Sequence, residues 1–83
     1  MNERVAVISI IVEREDAVEA LNALLHRYGS FIIGRMGIPY RQKKINIVSL
    51  AVDAPPEVIN ALSGKIGRLP GITVKTAYAN TRS

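Results

Sequence analysis

Catalysis needs a nucleophile, a base or a metal ligand, and this chain offers few residues of those types. It has no cysteine and a single histidine, His26, so any serine nucleophile would depend on that one imidazole as its base. No histidine or acid lies three or four positions from His26, which leaves it without a second metal ligand on its predicted helix. The acids Glu13, Glu15 and Asp16 fall on a polar, solvated loop that suits acid–base catalysis poorly. We therefore expect a protein that is not an enzyme and that holds no metal and no cofactor.

The segment Ser63-Gly64-Lys65 is similar to the end of a phosphate-binding P-loop. That motif places a glycine five residues before the Gly-Lys pair and a Ser or Thr after it, where this chain has Ile59 and Ile66. We therefore reject a nucleotide-binding loop. Gly64 and Gly67 still need a reason, because a glycine inside a helix costs about 1 kcal/mol relative to alanine. Close packing of a neighbouring backbone is the favoured explanation, and contact with a ligand or partner is the alternative.

The densest basic segment spans residues 35–44, in a chain whose net charge is +4. It carries Arg35, Arg41, Lys43 and Lys44. Such a segment contacts phosphates or an acidic protein, or it is simply a solvated hairpin loop. A nucleic acid is the less supported partner, because the second predicted strand lacks the aromatic platform that RNA-binding sheets of this topology present.

Hydrophobic periodicity predicts the order β-α-β-β-α-β. The predicted strands cover residues 4–12, 31–38, 45–52 and 72–78, and the predicted helices cover residues 16–28 and 57–69. This order is the split βαβ arrangement of ferredoxin-like folds. We expect an α+β sandwich in which a four-stranded antiparallel sheet carries both helices on one face. Residues 1–83 would form a single domain, with an ordered core over about 4–78 and a frayed end from Ala79.

Three glycines indicate local departures from regular structure. Gly29 follows the first helix and predicts a left-handed C-terminal cap. Gly34 and Gly37 interrupt the second strand and predict a bulge or a close approach of another backbone.

Both faces of the central strands are apolar. In the first strand, Ala6, Ile8, Ile10 and Val12 alternate with Val5, Val7 and Ile11; in the third, Val48, Leu50 and Val52 alternate with Ile45, Ile47 and Ala51. Helices cover only one face, so the other needs a different cover. We expect a second copy of the chain to supply it, giving a homodimer or homotetramer that assembles through sheet faces or edges.

No apolar run reaches the roughly 18 residues that span a bilayer. The first residues, Met1–Arg4, lack the features of a signal peptide. We expect a cytoplasmic protein with no membrane partner.

Three spaced motifs carry a family resemblance that covers nearly the whole chain. They are Gly34-Arg35-Met36-Gly37-Ile38-Pro39-Tyr40-Arg41, then Ala61-Leu62-Ser63-Gly64-Lys65-Ile66-Gly67, then Leu69-Pro70-Gly71-Ile72-Thr73-Val74-Lys75. Together they resemble the iron-only ([FeFe]) hydrogenase system regulator family. The resemblance implies an ACT-like, ferredoxin-like regulatory domain, similar to the C-terminal domain of nickel-responsive repressors. It also implies a role in regulating the hydrogenase system.

The chain departs from those relatives at two points. The nickel repressors bind metal through histidines and a cysteine, and His26 is the only such residue here. They also carry a ribbon-helix-helix DNA-binding segment, for which we expect no residues in this chain. In addition, Glu13-Arg14-Glu15-Asp16 stands where amino-acid-binding ACT domains usually have a glycine-containing turn.

These observations predict one binding surface made from two segments. The basic hairpin would contribute Arg35, Gly37, Tyr40 and Arg41, and the second helix would contribute Ser63, Gly64, Lys65 and Gly67. We expect this surface to bind a small ligand or a hydrogenase-system protein at a subunit boundary. The alternatives are a nucleic-acid-binding transcriptional regulator and a scaffold that binds no ligand.

Overall fold

A computed structural model describes residues 3–80 of the chain. The strands are β1 (Arg4–Val12), β2 (Ile32–Tyr40), β3 (Ile45–Ala54) and β4 (Ile72–Tyr78). The helices are α1 (Val18–Arg27) and α2 (Pro56–Gly67). The order β1-α1-β2-β3-α2-β4 confirms the predicted ferredoxin-like α+β class.

The sheet has the order β2-β3-β1-β4, and every neighbouring pair is antiparallel. Both helices lie on one face of it. The core between the layers is built from alternate residues of β1 and β3 and from the inner faces of the helices, among them Ile8, Ile10, Leu50, Leu21 and Ile66. Neither helix has the length and apolarity that crossing a bilayer requires, within residues 3–80.

The opposite face of the sheet has no element over it within the described residues, and we call it the open face. Strand alternation places on it Val5, Val7, Ser9 and Ile11 of β1, the odd-numbered residues of β3, the even-numbered residues 34–40 of β2, and Thr73, Lys75 and Ala77 of β4. Seven large apolar side chains of the described chain are exposed, and all but Ile33 lie on this face. The second apolar face predicted from the sequence is therefore present and uncovered in a single chain.

The first helix begins and ends differently from its prediction. A 3-10 turn over Glu15–Ala17 precedes it, so the α-helix starts at Val18. The left-handed cap at Gly29 is wrong, because positive φ among glycines of the described chain occurs only at Gly71. Instead the chain continues into a 3-10 turn over Gly29–Phe31, where the Phe31 amide donates to the Tyr28 carbonyl at 3.0 Å. That bond satisfies the carbonyl of Tyr28, the residue at the C-terminal end of the helix.

The second strand contains the bulge that its glycines predicted. The pairing with β3 shifts register between Ile32 and Gly34, leaving Ile33 as the extra residue. No atom lies within 4 Å of the position that a Cβ would occupy at Gly34 or Gly37. A close approach of another backbone is therefore wrong for both glycines.

The end of β4 is held in place and not frayed at Ala79. Its amide donates to the Val5 carbonyl at 2.9 Å, and its own carbonyl accepts a bond from Arg4 at 3.1 Å. Residues 81–83 lie outside the described part of the chain.

Candidate binding site

A cleft separates α1 from the β2–β3 hairpin, and we call it the α1–hairpin cleft. Its outer part encloses about 890 Å³. An inner part of about 230 Å³ continues from it, since Val18, Asn22, Pro39 and Asn46 line both. The cleft forms because β2 is an edge strand whose residues from Ile33 onward are exposed, and α1 does not close over it.

The floor of the cleft is apolar and its two rims carry opposite charge. Val12, Leu21 and Val48 form the floor of the inner part. The helix side contributes the carboxylates of Glu15 and Glu19, one helical turn apart. The hairpin side contributes three cations, Arg35, Arg41 and Lys44. No ion pair joins the two rims among residues 3–80, where the salt bridge that does form is Arg14–Asp16.

Arg35 is the one cation that reaches across the cleft. Its guanidinium donates a hydrogen bond to the Asn22 side-chain oxygen at 3.3 Å, so it ties β2 to α1 through a neutral partner. Tyr40 is held by a bond from its hydroxyl to the Gln42 side-chain oxygen at 2.9 Å. Arg41 and Lys44 are exposed at the mouth of the cleft.

Lys44 adopts a left-handed backbone conformation, with φ of 57°. It is the one non-glycine residue of the described chain with a positive φ. A long side chain in this region costs about 1–2 kcal/mol of backbone strain, and such strain is often found at binding sites.

Asp16, which follows Glu15 in the chain, does not line the cleft. Asp16 accepts hydrogen bonds from Arg14, and that contact holds the pKa of Asp16 below its usual value. Both side chains are exposed. The positive charge of Arg14 thus balances the negative charge of Asp16. The acidic rim of the cleft consists of Glu15 and Glu19.

The eight residues of the predicted binding surface separate into two groups. Arg35 and Gly37 line the inner cleft, and Tyr40 and Arg41 line the outer cleft. None of the four predicted residues of α2 lines either part; these are Ser63, Gly64, Lys65 and Gly67. The structure thus brings the hairpin residues together with α1 and leaves the α2 residues elsewhere.

The α2 residues have local partners of their own. Lys65 donates a hydrogen bond to the Tyr28 hydroxyl at 3.0 Å. Gly67 lies under β4, where a Cβ would stand 3.3 Å from a methyl group of Val74. Gly64 faces open space, with no atom within 4 Å of the position that a Cβ would occupy. Close packing therefore accounts for the glycine at position 67, although the neighbour there is a side chain and not a backbone. At Gly64 the explanation by close packing is wrong.

Sequence reasoning missed the acidic rim of Glu15 and Glu19. It also missed the two asparagines that line the cleft, Asn22 and Asn46. Glu15, Val18, Glu19 and Asn22 recur at helical spacing and share one stripe of the predicted helix. That spacing is a signal that could have found them. The spacing does not reveal which strand the stripe faces, because the position of α1 over the sheet decides it.

Within residues 3–80, no histidine lines the α1–hairpin cleft. No group of three or more metal-ligating side chains is found there. His26 is exposed in the last turn of α1, at the opposite end of the helix from Glu15 and Glu19. What the cleft can do chemically is bind, through an apolar floor and charged rims.

The fold defines this chain as a small ferredoxin-like α+β protein, and the α1–hairpin cleft is a concave feature of its described residues. Residues 4–76 match the TM1266-like family, described as "Iron-only hydrogenase system regulator, putative". The chain belongs to that family, which confirms the resemblance. No curated protein is significantly similar to the chain.

Solved structures agree with this assignment. The uncharacterized protein TM1266 from Thermotoga maritima is 35% identical, with a TM-score of 0.90 over 94% of this chain and 99% of that one. The C-terminal domain of the MgtC protein from Mycobacterium tuberculosis is 14% identical, with a TM-score of 0.74 over 94% of this chain and 89% of that one. CPII, a nitrogen regulatory PII-like protein from Thiomonas intermedia K12 bound to ADP, AMP and bicarbonate, is 18% identical. Its TM-score is 0.52 over 96% of this chain and 100% of that one. The last two show a shared fold only.

Proposed function

We propose that this chain is a non-enzymatic, cytoplasmic regulator of the iron-only hydrogenase system that acts by binding a small ligand in the α1–hairpin cleft. The regulatory role follows from the family to which the chain belongs. The cleft is the observation that supports binding as the mechanism. Its outer volume of about 890 Å³ lies within the roughly 300–1,000 Å³ of small-molecule sites.

The charges of the cleft support an occupant with groups of both signs. The carboxylates of Glu15 and Glu19 and the cations of Arg41 and Lys44 face the same space without pairing with one another. Exposed ion pairs are worth little in water, but a ligand that excludes water from the cleft strengthens its contacts with both rims. A hydrogenase-system protein that inserts a short segment is the second candidate occupant.

The position of the cleft supports binding at a subunit boundary in an oligomeric, ACT-like module. Tyr40 and Ile45 form the last pair of the hairpin, and both line the outer cleft. Both also belong to the open face. A copy of the chain covering that face would therefore border the cleft.

A nucleic-acid-binding transcriptional regulator is the alternative, supported by the exposed cations Arg41, Lys43 and Lys44. The acidic rim opposes it, because Glu15 and Glu19 would repel a phosphate backbone that entered the cleft. DNA binding that falls steeply as salt is raised would favour this alternative over the cleft.

Native mass spectrometry of the full chain tests the proposal, with Gly37→Val as the diagnostic variant. Gly37 lines the inner cleft, and a Cβ there meets no atom within 4 Å, so valine is tolerated by the fold and fills the site. We expect the purified protein to carry an additional non-protein mass that this variant loses. Gly64→Ala is the control, since a Cβ at Gly64 also meets no atom within 4 Å and Gly64, on α2, lines neither part of the cleft. A protein that binds no small molecule, or a mass retained by Gly37→Val, would contradict the proposal.

A charge-matched pair of variants makes the same test on the rim. Arg41→Ala removes a cation that lines the cleft, whereas Lys43→Ala removes one two residues away that does not. We expect only the first to weaken retention of the bound mass.

A further inference from the structure

The open face has a pattern of side-chain size that runs across its strands. Three adjacent rows cross the sheet at right angles to the strands. The large row is Ile38, Ile47, Ile11 and Thr73; the serine row is Met36, Ser49, Ser9 and Lys75; the small row is Gly34, Ala51, Val7 and Ala77. The large and small rows lie on either side of the serine row.

The small row forms a hollow at Gly34 and Ala51, although Val7 of the same row is 41% exposed, and the large row forms a ridge. A depression of about 300 Å³ opens at Gly34, beside Val7, Met36 and Ala51. No atom lies within 4 Å of the Cβ position at Gly34, so the chain leaves this space empty. In the large row, Ile11 and Ile38 are 40% and 45% exposed. The face therefore carries both halves of a complementary surface.

We propose that a second copy of the chain covers the open face, related by a two-fold axis that runs along the serine row. The axis lies midway between the two sheets and at right angles to the strands. Rotation about it turns the second copy so that its large and small rows change places relative to those of the first, because a two-fold interface is self-complementary. The large row of each copy then faces the small row of the other, and this contact occurs twice in the interface. Ile38 lies above the hollow at Gly34 of the partner copy, and Ile47 lies above Ala51.

The apolar area of the face approaches that of a specific interface. The six exposed apolar side chains on it present on the order of 500 Å². Between them lie the half-buried Ile45, Ile47 and Ala51, which bring the face toward the roughly 800 Å² per partner of specific interfaces. Sheets packed in this way lie about 10 Å apart.

The few polar groups of the face fit this arrangement. The Ser9 and Ser49 hydroxyls lie close to the axis, where a water molecule can bridge each to its counterpart in the other copy. The axis places Lys75 opposite Lys75 of the other copy, and because β4 is an edge strand both ammonium groups can diverge into water at the rim while their stems cover apolar surface. No other charged residue lies within the three rows.

Cross-linking at the axis tests the geometry, and the absence of native cysteine makes single substitutions unambiguous. Ser49→Cys places two thiols face to face across the proposed axis. The sheets are too far apart for a disulfide, which needs Cβ atoms about 4 Å apart, so a short bismaleimide is the probe. We expect a covalent dimer from Ser49→Cys and none from Ala61→Cys, which is exposed on α2. A dimer in solution that does not cross-link at Ser49 would overturn the axis.

Filling the hollow tests the complementarity of the rows. Gly34→Val adds a side chain that the single chain accepts but that meets Ile38 of the other copy. We expect the dissociation constant measured by analytical ultracentrifugation to rise by about tenfold or more. Adding Ile38→Ala to that variant should recover part of the loss. A wild-type protein that stays monomeric at all concentrations would overturn the second copy as the cover.

The proposed dimer rests on the oligomeric assembly of the proposed function and adds its geometry. The two glycine variants separate the possible failures. Gly37→Val fills the cleft and should leave the dimer unchanged, whereas Gly34→Val fills the hollow on the open face and should leave the cleft free. Loss of dimer in both variants would contradict the assignment of the two sites to opposite faces of β2.

Discussion

The ammonium group of Lys65 lies 3.0 Å from the hydroxyl of Tyr28 and donates a hydrogen bond to it. The same nitrogen lies 5.4 Å from the centre of the Tyr28 ring. Both residues are half-buried, and the contact joins α2 to the C-terminal end of α1. The lysine predicted as a binding residue thus has a structural partner 37 positions away in sequence.

We expect this contact to stabilise the fold by about 1 kcal/mol, the usual net worth of a hydrogen bond with a charged donor in a half-exposed setting. A double-mutant cycle with Lys65→Met and Tyr28→Phe, followed by urea unfolding, measures the coupling. Both substitutions keep the apolar part of the side chain. Additive losses would show that the two residues do not stabilise each other.

Gly71→Ala should destabilise the protein by about 1–3 kcal/mol. Gly71 has φ of +70°, and a Cβ there would stand 2.8 Å from the Cβ of Arg14. Gly64→Ala is the matched control, because Gly64 lies in a helix facing open space and alanine should raise stability by up to about 1 kcal/mol. Thermal unfolding of the two variants should therefore shift in opposite directions, and equal shifts would contradict the local geometry.

Replacing Lys44 with glycine should raise the free energy of unfolding by about 1 kcal/mol, since glycine adopts a positive φ without strain. Lys43 precedes it within the 3-10 turn and has no positive φ, so Lys43→Gly should lower stability. Unchanged stability at both positions would contradict the left-handed assignment.

Ile8→Ala should cost about 3 kcal/mol at any protein concentration, because Ile8 is fully buried between the sheet and the helices. Ile11→Ala, three residues along the same strand, removes a side chain of the open face. Its cost should be small in the dilute monomer and should grow with protein concentration as the dimer forms. Chemical denaturation at two concentrations separates the two behaviours, and a concentration-independent cost at Ile11 would contradict its place in an interface.

The Arg14–Asp16 pair should make a small contribution to stability that depends on pH. Because the contact lowers the pKa of Asp16 in the folded state, the contribution is present at neutral pH and is lost as pH falls through that lowered pKa. The stability of Asp16→Asn should therefore approach that of the wild type in acid. A difference between the two that grows on acidification would contradict this sign.

Much of the architecture was predictable because it depends on local periodicity. The alternation of Val5 to Val12 predicted a strand with two apolar faces, and the structure has both. The spacing of Leu21 and Leu25 predicted a helix face that is indeed buried. The prediction failed at Gly29, where the chain continues into a 3-10 turn in place of a left-handed cap, and local sequence does not distinguish the two.

The binding surface was less predictable because it depends on distances between elements. Arg41 and Lys65 were placed on one surface on the strength of charge and nearby glycines. In the structure, Arg41 lines a cleft with the start of α1, and Lys65 contacts the end of that helix.

By itself, the sequence determined the elements, the chain order of the ferredoxin-like sheet and the family, since these follow from periodicity and motifs within each segment. Only the tertiary structure decided which side chains share a site. The stripe of Glu15, Glu19 and Asn22 acquires basic neighbours because α1 lies beside the hairpin. The size pattern of the open face likewise appears only once the strands are in register, when Gly34 aligns with Ala51 and Ile38 with Ile47. Packing between elements separated in sequence sets both relationships, and no local signal encodes it.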